Sequence, residues 1–540
     1  MGGAIFHEKN LNWKYYFCQV YVRRKRNRSG SISVVVVSKQ SRRCREVHVV
    51  GVSSDPVTIE ELHRQGLLWI KEKTALSDMP DIFEEYEKEK FDRDAVDYFF
   101  NQIDQILLNG TQLILKQVFK LTGFDRIEDH EFRQLVISRI CQPLSKSATV
   151  DYLRSHFGEE VQLYQLYEYL DKLHDTQKEV VEKISVEHTR KILGGSIGLV
   201  FYDVTTLYFE TDYGDDLRRR GFSKDGKHAL PQIVLGLLVS DGGYPLAYSI
   251  HEGNKYEGHT MLPVVEEFVK KFDLKDFIIV ADSGLMSKEN IKLLEEGKYK
   301  YILGARIKNE SEEIKQWIFS LEKKDGCFHE LGKLPKCRLI VGYSEKRARK
   351  DAYNRDKGLK RLEKEYQNGS LSKEKINQRG YNKFLDISDD VKVNINYAKV
   401  KDDERWDGWK GYLTNTDLPA ERICEQYGSL WQVERAFRIT KGTLELRPMF
   451  HFSEKRIKAH VCICFVAYKV YKELERILKT SNMNMSVDKV LEIAKTIVTI
   501  RVRLPHSNKT AVRTMLITQA HKSIASLFDE NFWRLRSEGK

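Results

Sequence analysis

The sequence predicts an α/β protein whose core is a mixed β-sheet with helices on its faces. Three observations between residues 197 and 306 lead to this class. Three apolar, β-branched segments follow one another, and Asp241-Gly242-Gly243 between the last two is a hairpin signal. Amphipathic segments then alternate with short apolar ones. The predicted strands are residues 197–210, 230–240, 244–250, 277–282 and 299–306, and the predicted helices are residues 258–272 and 287–296. Three consecutive strands followed by alternating helices and strands are typical of a mixed sheet.

The segments before this core differ from one another. Residues 1–60 are predicted to be β-rich, with two strands around an Arg-Asn-Arg-Ser-Gly turn. Arginines cluster at that turn, and either a solvated hairpin tip or a phosphate-contacting tip accounts for them. Residues 61–192 show helical periodicity and are predicted to form a helical, possibly DNA-binding region. For each of these helices by itself, packing is the simpler interpretation.

After the first part of the core (193–306), residues 307–410 break the pattern of alternating elements. A highly charged helix at 345–366 lies there between β-like pieces, which predicts an insertion domain. Tracking DNA phosphates and simply facing solvent are equally good interpretations of that helix. Residues 411–480 are predicted to complete the core, and residues 481–540 to form a C-terminal helical region.

Composition and charge narrow the class of protein. A chain of 540 residues exceeds one ordinary domain, and 41% hydrophobic with 31% charged residues is typical of a soluble folded protein. The net charge of +12 favours nucleic acid as the partner. The 8 cysteines include no C-x-x-C pair, which argues against a zinc ribbon and suits a reducing cytoplasm. We expect neither a signal peptide nor a membrane span, since no apolar run approaches about 18 residues.

Two aspartates interrupt apolar strands. Asp203 directly follows Leu-Val-Phe-Tyr, and Asp282 ends the strand at 277–282. A carboxylate in such a place is costly unless it is paired or bound to metal, and strand ends are where α/β sheets form sites. The two aspartates therefore predict a shared metal site. The alternative is that turn backbone binds each carboxylate, an interpretation that is stronger for Asp282, which precedes Ser283-Gly284.

A third acid lies on the helix predicted at 418–448. At 100° per residue, one stripe of about 80° contains a Glu among aromatic and basic side chains. Its members are Tyr427, Trp431, Glu434, Arg438 and Lys441. The neighbouring apolar stripe is Ile423, Leu430, Val433, Phe437 and Leu444. The helix therefore packs with one face and presents an acid on the next. The alternative is an ordinary amphipathic helix with a Glu434–Arg438 i,i+4 pair.

These residues resemble those of prokaryotic insertion-sequence transposases of the DDE type, in particular the group with the signature Y-(2)-R-(3)-E-(6)-K. The signature here is Tyr427, Leu430, Glu434 and Lys441. Leu430 stands where the group usually has Arg, and Arg435 or Arg438 are candidates to replace that phosphate contact. The Tyr-Asp-Val-Thr-Thr around Asp203, the Ala-Asp-Ser-Gly around Asp282 and residues 447–468 also belong to the resemblance. It spans residues 195–470.

The resemblance implies an RNase H-like core with a β-containing insertion between the second Asp and the Glu. It implies that Asp203, Asp282 and Glu434 are catalytic and hold two Mg²⁺ or Mn²⁺ ions, with Tyr427 and Lys441 on the phosphate. Two such ions activate the attacking oxygen and relieve charge on the leaving one. Trp431 is interpreted as a partly buried packing residue, with stacking on an extruded base as the alternative.

The function implied is metal-dependent cleavage at the ends of a transposable element and strand transfer to target DNA. The partners are then double-stranded DNA, as terminal inverted repeats and target, and a second copy of the chain on that DNA. The location is the prokaryotic cytoplasm, at the nucleoid. Two alternatives stay open: an RNase H-like metal nuclease without strand transfer, and an inactive transposase-derived DNA-binding protein. The intact carboxylates favour an enzyme.

Overall fold

The structure is a computed structural model that describes residues 20–40, 43–73, 82–223, 226–256, 260–285, 287–334, 337–369, 371, 377, 380–387, 393–447, 449–504, 509–528 and 536–537. The chain divides into two units, Met1–Gln102 and Ile103–Lys540. Among the described helices, none is long and apolar enough to span a membrane.

The first unit contains an antiparallel sheet with the strand order β1-β2-β3. Its elements are β1 (Val20–Arg26), β2 (Ile32–Gln40), β3 (Arg43–Ser53), α1 (Pro56–Lys73) and α2 (Ile82–Asn101). The β1–β2 hairpin confirms the predicted pair of strands around the arginine-rich turn. Near that turn, Arg24 pairs with Glu60 at 2.7 Å and Lys25 with Glu46 at 2.8 Å, all at the surface. Part of the positive charge there is therefore balanced within the unit.

The second unit contains the remaining elements. Its strands are β4 (Ile103–Leu107), β5 (Leu199–Tyr208), β6 (Gln232–Ser240), β7 (Pro245–Glu252), β8 (Ile278–Ala281), β9 (Lys300–Ala305), β10 (Phe328–Leu334), β11 (Cys337–Tyr343), β12 (Leu385–Ile387), β13 (Val393–Ile395), β14 (Trp409–Thr414), β15 (Val498–Arg503), β16 (Thr510–Met515) and β17 (Arg536–Ser537). Its helices are α3 (Gly110–Leu121), α4 (His130–Cys141), α5 (Lys146–Tyr152), α6 (Leu163–Thr176), α7 (Lys178–Ile192), α8 (Met261–Phe272), α9 (Lys288–Glu296), α10 (Glu312–Ser320), α11 (Glu345–Gln367), α12 (Tyr397–Glu404), α13 (Ala420–Gly428), α14 (Trp431–Arg438), α15 (Glu454–Thr480), α16 (Val487–Ala494) and α17 (Gln519–Ala525).

The main sheet of this unit has the strand order β10-β11-β14-β9-β8-β5-β6-β7. Strands β5, β6 and β7 are antiparallel neighbours, whereas β5, β8 and β9 run parallel. A turn at Asp241–Gly243 joins β6 to β7, as the hairpin signal predicted. The order β-β-β-α-β-α-β and the mixed sheet with helices are thus confirmed.

Two apolar cores lie on opposite faces of this sheet, because successive strand residues point to opposite sides. Val200 and Tyr202 face helices α8 and α9. Phe201 and Leu207 belong to the larger core, which also contains α13, α14 and α15. Helix α15 is buried almost all round and crosses the centre of that core. Even its Lys469 is fully buried, where it donates to the Ser185 carbonyl at 3.1 Å.

The segment predicted as an insertion contributes in two ways. Strands β10, β11 and β14 continue the main sheet beyond β9. The charged helix α11, the ribbon of β12 and β13, and α12 instead surround a small apolar core of their own. Arg355 on α11 ties this part together by a bidentate salt bridge to Asp407, at 2.6 and 2.7 Å.

The C-terminal region differs from the helical one that the sequence predicted. Beside α16 and α17 it holds β15, β16 and β17, which form a sheet with β4 from the region predicted as helical. Strands β15, β16 and β17 are short. Strand β15 pairs with β16 on one side and, on the other, with β4, which lies almost 400 residues earlier in the sequence. Such long-range pairing overrides local periodicity.

Candidate active site

The two aspartates lie side by side at the centre of the main sheet. In the parallel pair β5–β8, Tyr202 is opposite Ala281. Asp203 and Asp282 each follow by one residue, so they occupy adjacent positions on neighbouring strands. This is the juxtaposition that a shared site needs.

Both aspartates also share a face of the sheet. Phe201 and Val280, two residues before them, belong to the core that includes α13 and α14. Alternation along a strand therefore places Asp203 and Asp282 on that face. The row of paired residues that contains the two aspartates continues into the next strands. There Gly304 of β9 lies opposite Tyr412 of β14.

Local backbone contacts account for part of the hydrogen bonding of these carboxylates. The Val204 N–H donates to Asp203 Oδ1 at 2.8 Å, and the Ser283 N–H donates to Asp282 Oδ1 at 2.7 Å. These are contacts of the kind expected from the turn-backbone alternative. For Asp282 they are not the whole environment, because a side chain from α13 reaches the same oxygen.

That side chain is Tyr427. Its hydroxyl donates to Asp282 Oδ1 at 2.9 Å, and its ring is buried. Burial, and then the Asp282 charge, raise the pKa of the Tyr427 phenol well above its ordinary value. The phenol is therefore a protonated donor and not a ready nucleophile. A Cβ on Gly304 would come within 2.4 Å of the Tyr427 hydroxyl, so a glycine there allows the approach.

Helix α14 brings Glu434 to this face by packing against β5 and β6. The Glu434 side chain is exposed and, in the described part of the chain, forms neither a hydrogen bond nor a salt bridge. The Glu434–Arg438 pair of the alternative interpretation is therefore absent among the described contacts. An exposed acid without a salt bridge, on the helix that packs over the face of the two aspartates, is available to bind a cation.

Lys410 on β14 lies close to the aromatic rings of the site and to its acids. Its Nζ lies 4.3 Å from the centroid of the Tyr427 ring and 5.5 Å from that of Tyr412. Burial and then Arg347 lower the pKa of Lys410, while Asp282 and Glu434 are close enough to raise it. Sequence analysis missed Lys410. The available signal was its position two residues before Tyr412, on the same face of the strand.

The predicted 418–448 helix is not continuous. It divides into α13 and α14 at Gly428-Ser429, where Leu430 N–H bonds Tyr427 O and Val433 N–H bonds Leu430 O, one residue tighter than in an α-helix. Gly and Ser together are a common cause of such kinks. A π-turn at Ile439–Thr443 then carries Lys441. The predicted apolar stripe is buried throughout.

The other predicted phosphate contacts have different surroundings. Trp431 is 52% exposed, so about half of its side chain is open to solvent, and Arg438 is exposed. Leu430, in the position of the usual Arg, is buried in the core. Arg435 forms a bidentate salt bridge with Glu475 of α15, at 2.5 and 3.2 Å. An internal carboxylate thus already occupies the Arg435 guanidinium, whereas Arg438 is exposed.

Comparison with known protein families matches residues 195–469, half of the chain, to the family described as Transposase DDE domain. The chain belongs to this family. The predicted DDE transposase is confirmed at that level, while the narrower signature group and the prokaryotic origin stay predictions. The matched residues include both aspartates, Lys410, Tyr427 and Glu434.

The chain was also compared with curated proteins and with solved structures. No curated protein matches the chain. A cryo-EM structure of the piggyBac transposase synaptic complex with hairpin DNA is similar at 10% identity, with a TM-score of 0.38, over 72% of this chain and 78% of the other.

The donor chemistry of the transposase site fits hard divalent cations. Carboxylate oxygens are the ligands that Mg²⁺ prefers, and it keeps several waters, so three carboxylates from separate elements suffice. Within the described residues, however, no group of three or more His, Cys, Asp or Glu side chains is arranged closely enough to hold a metal ion. Closing such a site requires the exposed Glu434 side chain to approach the aspartates.

Proposed function

We propose that this transposase cuts DNA at the ends of a transposable element and joins the ends to target DNA, using divalent metal held by Asp203, Asp282 and Glu434. The observation that carries the proposal is the adjacency of the two aspartates on the sheet face that α14 covers with Glu434. Two Mg²⁺ or Mn²⁺ ions there would activate the attacking oxygen and offset charge on the leaving one.

Tyr427 is the positioning residue for Asp282 in this proposal. Its hydroxyl donates a hydrogen bond to Oδ1 of that carboxylate. Side chains that bind a ligating carboxylate orient it and tune its basicity. Because burial and the neighbouring charge keep the phenol protonated, the tyrosine holds this role at neutral pH without a covalent step.

Lys410 supplies positive charge where the DNA phosphate would lie. It is half-buried, stacks on Tyr427 and forms no salt bridge in the described part of the chain. Arg347, from the start of α11, is near enough to influence Lys410 and Tyr427. We propose that these two cations, with Lys441 and Arg438, replace the contact that Leu430 cannot make.

Affinity for DNA would come from the wider basic surface of the chain, whose net charge is +12. Contacts of Lys and Arg with phosphates release counterions and make binding salt-dependent. Trp431, half-exposed on the same helix as Glu434, is available to stack on a base. Joining two element ends calls for two active sites, so we propose a homodimer on double-stranded DNA.

The test is a cleavage assay with Mg²⁺ on DNA carrying the element's own ends, comparing wild type with Glu434→Gln and Lys410→Met. We expect end-specific nicking that Glu434→Gln abolishes and Lys410→Met lowers by roughly tenfold, the effect of losing one charged phosphate contact. Glu421→Gln, which alters an exposed acid at the start of α13, is the control and should be fully active.

Equal nicking by wild type and Glu434→Gln would remove Glu434 from the mechanism. Nicking without joined products would identify the metal nuclease without strand transfer. Tight DNA binding with no nicking in any variant would identify a DNA-binding protein derived from a transposase.

A further inference from the structure

A cavity of about 800 Å³ lies in the second unit. Its lining residues do not include Asp203, Asp282 or Glu434. Its walls come from α4, α5 and α6 on one side and from Glu445 and residues 450–460 on the other. The second wall is the segment that follows Glu434 and Lys441. Pockets of about 300–1,000 Å³ commonly hold small ligands.

Two basic side chains are buried in the wall of this cavity, and burial, followed by the Arg139 charge, lowers the pKa of Lys146 to about 7. Arg139 is 8% exposed and Lys146 is 5% exposed. Neither forms a salt bridge among the described residues, although Arg139 donates to the Leu144 carbonyl at 3.2 Å. Of the acidic lining residues, Asp171 is bound by Arg456 at 2.7 and 2.8 Å, and Glu445 is exposed. Burying a cation without a counter-charge is strongly unfavourable, which is why the pKa of Lys146 falls, and a phosphate in the cavity would hold this lysine protonated.

The neighbouring histidines respond to this positive charge. Burial, followed by Lys146 and Arg139, lowers the pKa of His451 to about 3, and the same causes hold the pKa of His460 well below its ordinary value. Both rings are therefore neutral at pH 7. The Nδ1 atom of His460 is buried and lacks a hydrogen-bond partner among the described residues. An anion in the cavity would neutralise the Arg139 and Lys146 side chains and would lie near the buried His460 ring.

Exposed aromatic rings border the same cavity. Phe450 is 69% exposed and Phe452 is 52% exposed. The Arg218 guanidinium lies 5.5 Å from the Phe452 ring, although Asp215 already pairs with it at 2.8 Å. Aromatic rings beside cations are the combination that binds single-stranded nucleic acid, by stacking on bases and pairing with phosphates.

We propose that this cavity binds one nucleotide of a DNA strand, with the phosphate at Arg139 and Lys146 and the base against Phe450 or Phe452. The choice of DNA as the source of the phosphate rests on the proposed function. The strand would pass from the carboxylates along the segment that carries Lys441 and into the cavity.

The experiment uses the full chain and fluorescein-labelled dT20, with anisotropy measured over a range of NaCl concentrations and melting temperatures measured without DNA. The variants are Lys146→Met and Phe450→Ala. The matched control is Lys489→Met, an exposed lysine on α16 that does not line the cavity. Unlabelled dT20 and free dTMP compete in separate titrations.

We expect Lys146→Met to keep or raise the melting temperature, because it removes a buried amine that has no counter-charge, while weakening dT20 binding about tenfold. The slope of log K against log salt should fall by about 0.7, the value for one phosphate on a single strand. Phe450→Ala should weaken binding about tenfold through lost stacking. Lys489→Met should stay close to wild type, and dT20 should compete far better than dTMP.

Wild-type affinity and salt slope in both variants would overturn the proposal, as would equal competition by dTMP, which would identify a site for free nucleotides. A lowered melting temperature in Lys146→Met, with unchanged binding by Phe450→Ala, would make the cations structural and equally overturn it. Absence of dT20 binding by wild type also overturns it. The proposed function is judged separately, by end-specific nicking and its loss in Glu434→Gln.

Discussion

Two hydrogen bonds to Oδ1 hold the Asp282 carboxylate, one from the Ser283 N–H and one from the Tyr427 side chain. The Tyr427 hydroxyl, from a buried ring on α13, donates to Asp282 Oδ1 and is the side chain that links the helix to the aspartate. A carboxylate held by a neutral donor keeps its charge for a cation, whereas one paired with Lys or Arg is neutralised. At this scale, function depends on a residue that need not touch the DNA.

Replacing Tyr427 by Phe tests this role. The ring still packs and Lys410 still stacks on it, but the hydrogen bond to Asp282 is lost. We expect an unchanged fold and metal-dependent nicking lowered by roughly tenfold or more, as for other residues that orient metal ligands. Higher Mg²⁺ concentrations should recover part of the rate.

Tyr412→Phe is the matched control for that measurement. Its ring contacts the Tyr427 ring edge-on at 5.0 Å, but its hydroxyl meets Cys424 Sγ at 3.3 Å and not a carboxylate. Nicking by this variant should match wild type at every Mg²⁺ concentration. If both variants lose activity equally, the effect is one of packing.

At the scale of elements, α13 approaches β9 closely because β9 has a glycine at the contact. A Cβ at Gly304 would lie 2.4 Å from the Tyr427 hydroxyl and 3.0 Å from the Ser283 backbone nitrogen. The same face of β14 presents Lys410. The site is therefore assembled where α13 and α14 cross β14, β9, β8 and β5.

Gly304→Ala should displace the Tyr427 hydroxyl and so lower nicking to about the level of Tyr427→Phe. In the Tyr427→Phe background the added methyl meets no hydroxyl and keeps only its tight contact with Ser283, so its effect on the rate should be clearly smaller. A double-mutant cycle of nicking rates measures this coupling. Additive effects of the two substitutions would show that Gly304 acts by another route.

A second contact between elements anchors α14 to α15. Glu475 accepts from Arg435 and from Lys472, at 2.5 Å in each case. Burial by itself raises the pKa of Glu475, but these hydrogen bonds outweigh it and lower the pKa to about 2. Holding α14 in this way keeps Glu434 over the sheet.

The anchor predicts a pH dependence of stability. The folded-state pKa of Glu475 lies below the unfolded value of about 4.3, so the ionised carboxylate stabilises the fold above that pH. The contribution is lost as the pH falls from about 5 towards 2. The melting temperature of wild type should exceed that of Glu475→Gln at pH 7, and the difference should shrink by pH 3. A constant difference would contradict the shift.

At the scale of the whole molecule, the second unit contains four apolar cores of its own among its described residues. It begins at β4, which pairs with β15 near the other end of the chain. The Thr499 hydroxyl donates to the Asn109 side chain at 2.7 Å next to this pairing. The unit is thus closed by contacts between its two ends.

A fragment of residues 103–540 should therefore fold alone, with a cooperative thermal transition followed by circular dichroism. A fragment of residues 110–540 lacks β4 and the Asn109 contact, and should melt at a lower temperature. Equal melting temperatures would mean that β4 adds nothing to the closure of the unit.

Much of the active site was predictable because its signals are local. Asp203, Asp282 and Glu434 each stand out against the apolar pattern of their own strand or helix, and the elements that carry them have clear periodicity. Lys410 and the role of Arg435 were not predictable in this way. Each depends on a partner 17 to 128 positions away, such as Tyr427, Asp282 or Glu475, and no local pattern reports that distance.

By itself, the sequence determined the mixed sheet, the order of its elements and the set of carboxylates, because hydrophobic periodicity and turn chemistry act over a few residues. Only the tertiary structure decided that Asp203 and Asp282 are neighbours, that Tyr427 binds Asp282, that Arg435 belongs to Glu475 and that β4 pairs with β15. It also decided that Arg139 and Lys146 share one cavity. These are contacts between distant segments, and the packing of the whole chain selects them.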